Sequence, residues 1–467
     1  MTSTPLKTIL RCAAILALLG SARGSGAGVA LALASPAPAA SDPSGPRLLT
    51  LRNGARLLLV PDPRAASVGV AVWIEAGVKH ERPGIIGISH LVEHLSARGI
   101  AAGGEIELRR IVEAVGGTTA SFTTADFTCF AHSIPREALD LVLGLEARRF
   151  AVHPTQAMLD QDRAVAREEN RVRARLNPLE RPLQDLYGAA FVTHAYRWPV
   201  LGRDDDLARI TLKDCAEFLR SRYAPDGVLI TVVGDFDPDD ALASVRRHFE
   251  PIARRRGGRA PTAVREAEPG GGLRRAVAGD LPVPVLVVGW RVPAAAAADD
   301  GAALDLLSAL LTGGPAARLS GRLVAADRTC LFARTGRDRQ RDATVFWAAA
   351  AVRPGSDSSA VESSLVSEIE SLAGEPVGGE ELDRARRQLE LSVLLGRQSA
   401  GDRGQALGTA QMVAGDWRDA ERQLERLRAL TPADVQRAAA RTLVAARRVV
   451  VWSAAAAPAA PEIGGRP

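Results

Sequence analysis

Lysine is nearly missing from this 467-residue chain: Lys7, Lys79 and Lys213 stand alone among 59 basic residues, and the rest are arginine. The formal net charge is +5, yet the arginines are scattered among acids, as in Arg246-Arg247 before Glu250. The one dense run, Arg254-Arg255-Arg256, borders a Gly-rich stretch and reads as a solvated edge. Aromatic residues amount to 4%, and none is interleaved with the basic ones in the manner of a nucleic-acid surface, so no nucleic-acid partner is expected. Cysteine is equally sparse. Beyond Cys12 only Cys129, Cys215 and Cys330 remain, too far apart for a disulfide framework or a C-x-x-C metal pair. They read as small buried hydrophobes. Stability must then come from apolar cores, which a chain of this length can supply in two or more domains. Histidine stops at His248, and the only tyrosines are Tyr187, Tyr196 and Tyr223. A histidine-based metal site can therefore lie only in the first half.

The first forty residues read as a cleaved secretory signal, with an uncleaved N-terminal anchor as the alternative. Lys7 and Arg11 precede an apolar run from residue 12 to 19, and a small-residue stretch ends at Ala37-Pro38-Ala39-Ala40. Neither this run nor the one at 29–34 reaches the ~20 residues of a spanning helix. A periplasmic or secreted location follows as an expectation, with no stable membrane insertion once the signal is removed.

From residue 47 strand-like and helix-like segments alternate. Residues 48–60 hold two short apolar runs turned at Asn53-Gly54, a hairpin pattern. VGVAVWI at 68–74 has the length and β-branched content of a buried strand. Helices are expected over 87–97, 106–114, 136–149, 155–176 and 212–222, one extended strand over 118–132, and a strand over 228–233. Composition turns to Gly, Pro and charge at 256–272, the signature of a linker. It separates a first body, 46–255, from a second, 273–455. The second should hold strands near 283–291 and 344–352, helices at 300–311, 359–373 and 379–398, and a last helix and strand; 456–467 reads as a disordered tail. The bodies echo each other. Asp214 and Asp434 sit near the starts of two similar helices, and an apolar strand begins fourteen residues after each. That suits two similar α+β domains.

The sharpest feature is His90-Leu91-Val92-Glu93-His94. On a helix, positions i and i+4 share a face one turn apart, so both imidazoles can reach one tetrahedral zinc. Glu93 falls beside the metal's open position, where a carboxylate can activate a zinc-bound water. This is the inverted H-x-x-E-H arrangement of zinc peptidases. A third ligand is required. The helix over 155–176 offers Asp162 and Glu169, two turns apart on one face; Glu169 is the candidate ligand and Asp162 a group orienting a ligand. The same acids also fit a solvated helix face.

These residues resemble the insulinase/pitrilysin family of zinc peptidases, in particular its shorter two-domain members related to mitochondrial processing peptidase. The resemblance runs over about 47–455. It rests on Leu51-Arg52-Asn53-Gly54, Glu75-Ala76-Gly77, Gly87 through His94, Gly116-Gly117 with Thr123, Asp126 and Thr128, and Asp162-Arg163 leading to Glu168-Glu169. Tyr196, Pro199, Gly202, Tyr223-Ala224-Pro225, Val232 to Asp235 and Ala317-Arg318-Leu319 extend it. It implies one zinc ion per chain held by His90, His94 and Glu169, with Glu93 as general base. It further implies two domains, each an antiparallel sheet with packed helices, closing around a chamber that admits peptides. Asp162 replaces a glutamate common in the family. Ala120-Ser121 replaces an Asn-Ala pair on the strand that aligns substrate, so Ala120, Ser121 and Thr123 mark the expected substrate-binding segment. The family's Arg/Tyr pair for substrate, carried by a domain without zinc, has no tyrosine available in the second half. A second two-domain subunit, identical or different, would have to supply it. The expectation is an exported zinc metalloendopeptidase; the alternative is a non-catalytic assembly or binding subunit of a peptidase-like complex.

Overall fold

The computed structural model describes residues 45–101, 103–254, 266, 272–277 and 281–455, without the side chains of 293–299. The expected leader, nearly all of the 256–272 linker and the 456–467 tail lie outside the described residues.

Two sheets organise the chain. The first is built from β1 (Arg47–Thr50), β2 (Arg56–Pro61), β3 (Val68–Ile74), β4 (Thr118–Thr123), β5 (Thr128–Ile134) and β6 (Val228–Gly234), in the order β1-β2-β6-β3-β5-β4. The second comprises β7 (Leu273–Val277), β8 (Val285–Pro293), β9 (Cys330–Arg337), β10 (Ala343–Val352) and β11 (Arg448–Ser453), in the order β7-β11-β8-β10-β9. Apart from β1, the second sheet repeats the first strand for strand. In each the last strand of its half enters between the first two, parallel to one (β2 with β6, β7 with β11) and antiparallel to the other. The expected sheets are thus antiparallel except for one parallel pair apiece. The helix echo has its counterpart too. Thr211 caps Leu212–Arg222 and Thr431 caps Pro432–Thr442, each with Asp214 or Asp434 closing the box, and β6 and β11 follow at the expected distance.

Residues 118–132 are not one strand. Thr124 Oγ1 accepts the backbone N–H groups of Asp126 and Phe127 and donates to the Phe127 carbonyl, turning the chain into a β4–β5 hairpin. The hairpin puts β4 at the sheet edge.

Both faces of each sheet are covered, which is why VGVAVWI is apolar without alternation. On one face of the first sheet Val70, Val72 and Ile74 pack under the helix Ile88–Ala97; on the other Ala71 and Trp73 meet Leu407 and Ala410. The latter belong to the helix Ala400–Val413, from the second half of the chain. The exchange is mutual. Leu186, Ala189 and Ala190 on the helix Glu180–Ala190 of the first half cover Val285, Val287, Val449 and Val451 of the second sheet. Contact is close where Gly408 lies on Trp73: a Cβ there would stand 2.3 Å from the indole ring.

Between the halves lies a buried polar cluster. Lys79 Nζ is 2.9 Å from Asp126 Oδ1 and 3.4 Å from Asp342 Oδ2. Tyr196 donates to Asp126 Oδ1 (2.6 Å), the Arg341 N–H donates to Asp126 Oδ2 (2.9 Å), and His194 Nε2 lies 3.3 Å from Asp342. Among the described residues, no helix is long and apolar enough to cross a membrane.

Candidate metal centre

The helix Ile88–Ala97 is buried along its whole length, so its polar residues need internal partners. Its first turn is held from outside the helix. Glu81 accepts the N–H groups of Gly87 (2.7 Å) and Ser89 (2.9 Å), satisfying donors that a helix start leaves unpaired. Burial pushes the Glu81 carboxyl up to about 7, against the pull of these N–H groups. Its last turn is braced by Arg149, whose Nη1 donates to Ser96 Oγ (3.1 Å) while Nε and Nη2 grip Glu146. Burial alone would raise Glu146, but Arg149 and His132 bring it down to about 2.

From this helix His90 and His94 direct their Nε2 atoms to one point, 3.2 Å from each other. Glu169, on the helix Gln156–Leu176, brings its Oε2 to 3.3 Å from His90 Nε2 and 3.5 Å from His94 Nε2. Ligands ~2.1 Å from a tetrahedral ion stand ~3.4 Å apart. The three atoms therefore fit a zinc ion without rearrangement, and they form a potential metal group among the described residues.

Charge agrees with the geometry. Burial lowers the His94 pKa, but Glu169, Glu105 and Glu93 outweigh it and hold the imidazole up at about 9. The hydrogen bonds to both imidazoles keep Glu169 far below the usual carboxylate range, against its partial burial. Carboxylates crowd around two rings, an excess of negative charge that a divalent cation matches.

Glu93 is buried on the same helix face, and Thr123 Oγ1 donates to its Oε2 at 2.6 Å. Thr123, one of the residues expected along the substrate segment, thus fixes the carboxylate. Ser121, two residues back and on the same face of β4, donates to Glu105 Oε1 (3.1 Å), and Ala120 projects to the opposite face. No strand pairs with the outer edge of β4 among the described residues.

Asp162 departs from its expected role. Arg98 grips its carboxylate through Nε (3.0 and 3.2 Å) and Nη2 (2.6 Å), so it locks the helix Gln156–Leu176 to the end of the motif helix rather than orienting a ligand. Nothing in the sequence pattern singles out Glu81 or Glu105. Glu105 opens a helix like any acid near an N-terminus, and nothing in its spacing separates it from Glu107.

A two-sheet α+β chain with an inverted histidine helix and a glutamate from a later helix belongs to the class of zinc-peptidase-like proteins. Comparison with known proteins places it further. The model for insulinase (peptidase family M16) matches residues 56–203, and that for the peptidase M16 inactive domain matches 209–389. The chain belongs to the insulinase family, peptidase family M16. It is 28% identical over 361 residues to the zinc protease PqqE of Helicobacter pylori, covering 76% of this chain and 80% of that one. The beta subunit of the mitochondrial-processing peptidase of Blastocladiella emersonii is 23% identical over 203 residues, 43% of each chain. The crystal structure of a protease from Helicobacter pylori superposes with a TM-score of 0.82 at 25% identity, covering 88% of this chain and 99% of that one.

Proposed function

We propose that the protein is an exported zinc metalloendopeptidase. The observation that carries this reading is the set of three donor atoms 3.2–3.5 Å apart with a buried, hydrogen-bonded Glu93 beside them. His90, His94 and Glu169 would hold the ion, which supplies a Lewis acid for the scissile carbonyl and lowers the pKa of water. Glu93 then takes the proton of the attacking water and hands it to the leaving amine. Thr123, donating to Oε2, would hold that carboxylate in place beside the ion. The open edge of β4 can add a peptide as a further strand through main-chain hydrogen bonds, independently of most side chains. The family model matching 209–389 is described as an inactive domain, and that suits a second half without histidine. The donor set lies in the stretch matched by the other model, so a non-catalytic subunit gains no support from it.

The test compares wild type with Glu93→Gln for zinc content and hydrolysis of a quenched peptide. Both should take up one zinc per chain, while the variant loses at least about 100-fold in kcat. Equal hydrolysis by the two proteins, or a wild type that takes up no metal, would overturn the reading.

A further inference from the structure

A histidine bound to metal through Nε2 carries its proton on Nδ1, and an acceptor for that proton fixes both the tautomer and the ring plane. The two imidazoles differ sharply here. His90 Nδ1 is buried with no hydrogen-bond partner among the described residues. His94 Nδ1 faces the carboxylate of Glu105, with Oε2 at 3.8 Å. Asp162, which the helix spacing offered for this task, is spoken for by Arg98 on three contacts.

We infer that Glu105 is the positioning residue for the His94 ligand, and that through Ser121 it ties the metal centre to the strand that takes the peptide. Its two oxygens divide the work. Oε1 accepts from Ser121 Oγ at 3.1 Å, on the same face of β4 from which Thr123 reaches Glu93; Oε2 is left for the imidazole. Oε2 stands about 1 Å beyond hydrogen-bond distance from Nδ1, and the Glu105 side chain is 34% exposed. Two adjacent β4 positions of one face therefore hold the two groups the reaction depends on: Thr123 the base, Ser121 the outer partner of a ligand. A peptide paired to β4 presses on both at once.

This inference rests on the zinc reading above, and the experiment separates the two. Zinc affinity is measured on the full chain by competition with a chromogenic chelator for wild type, Glu105→Ala, Glu105→Gln and, as a control on the exposed side of the same helix, Glu113→Ala. Thermal unfolding of each metal-free protein accompanies it. Glu105→Ala should weaken zinc about 10–100-fold, the cost typical of losing an outer partner. Glu105→Gln, which keeps an acceptor oxygen, should recover most of that loss, and Glu113→Ala should match wild type. Metal-free unfolding should be equal across the set, since a purely structural role would move it. With the peptide substrate, Glu105→Ala at saturating zinc should lower kcat more than it raises KM. Wild-type zinc affinity in Glu105→Ala, or an equal loss in Glu113→Ala, would overturn the inference while leaving the peptidase reading intact. A wild type that binds no zinc would overturn both.

Discussion

At Gly87 the backbone turns through φ +97 to start the motif helix, and a Cβ built there would stand 2.5 Å from the Cα of Gly202. Gly202 is itself at φ +82 and meets Gly87 in return at 2.7 Å. Neither position can take a side chain without moving backbone, and the backbone that moves carries His90. Gly87→Ala should therefore cost about 2–4 kcal/mol in denaturant unfolding, the sum of a left-handed alanine and an overpacked contact. A loss under about 1 kcal/mol would show that the close approach is not needed. The residues that carry chemistry were the legible ones. His90, Glu93 and His94 announce themselves because a metal demands fixed residue types at fixed helical spacing. Glu169 followed from the two-turn register with Asp162 and from the family resemblance. Their supports were not legible, because an outer-shell group has no fixed spacing: Glu105 reaches His94 across a helix and a loop, and Arg98 reaches Asp162 across 64 positions.

The motif helix and its anchor act as one element. Glu81 is a buried acid that accepts the backbone N–H groups of Gly87 and Ser89 and has the Asp206 carboxylate nearby. A carboxyl raised from 4.5 to about 7 favours the protonated form in the fold. The stability it contributes is present below 4.5 and is lost as pH rises through about 7, a term of about 3 kcal/mol. Glu81→Gln removes the titration while keeping an oxygen for one N–H. Urea unfolding should thus show wild type losing stability relative to Glu81→Gln between pH 5 and 8. A difference between the two that stays constant over that range would sink the assignment. At this scale the long apolar or amphipathic segments were readable, including β3, the helix Gln156–Leu176 and the paired helix-and-strand units that end each half. The β4–β5 turn was not. Thr124-Ala125-Asp126-Phe127 lacks the Asn-Gly or Asp-Gly that marks β1–β2, and a threonine hydroxyl does the turning instead.

Across the whole molecule, the cluster of Lys79, Asp126, Tyr196, His194 and Asp342 bonds one half to the other in a largely buried place, with only Asp342 partly exposed. Asp126 accepts from three of its neighbours and is 4% exposed. Asp126→Ala would leave the Lys79 ammonium and the Tyr196 hydroxyl buried without that partner, at a cost of about 3–5 kcal/mol. Equilibrium unfolding followed by both tryptophan fluorescence and far-UV circular dichroism should give one shifted transition. Two separate transitions in wild type would mean that the halves do not depend on each other. That dependence could not be read from sequence. The composition of 256–272 suggested two bodies on a tether, whereas the helices Glu180–Ala190 and Ala400–Val413 each lie on the other half's sheet. Nothing local to either helix reveals which sheet it will cover.

The crossed helices carry a consequence for what happens if the polypeptide is severed. A protease nick between residues 256 and 265 would break the covalent path, yet each fragment would still have an arm laid across its counterpart. The nicked pair should run as a single particle on a sizing column. Either fragment made alone would present a bare row of Val, Ala and Trp side chains to solvent and precipitate or seek its mate.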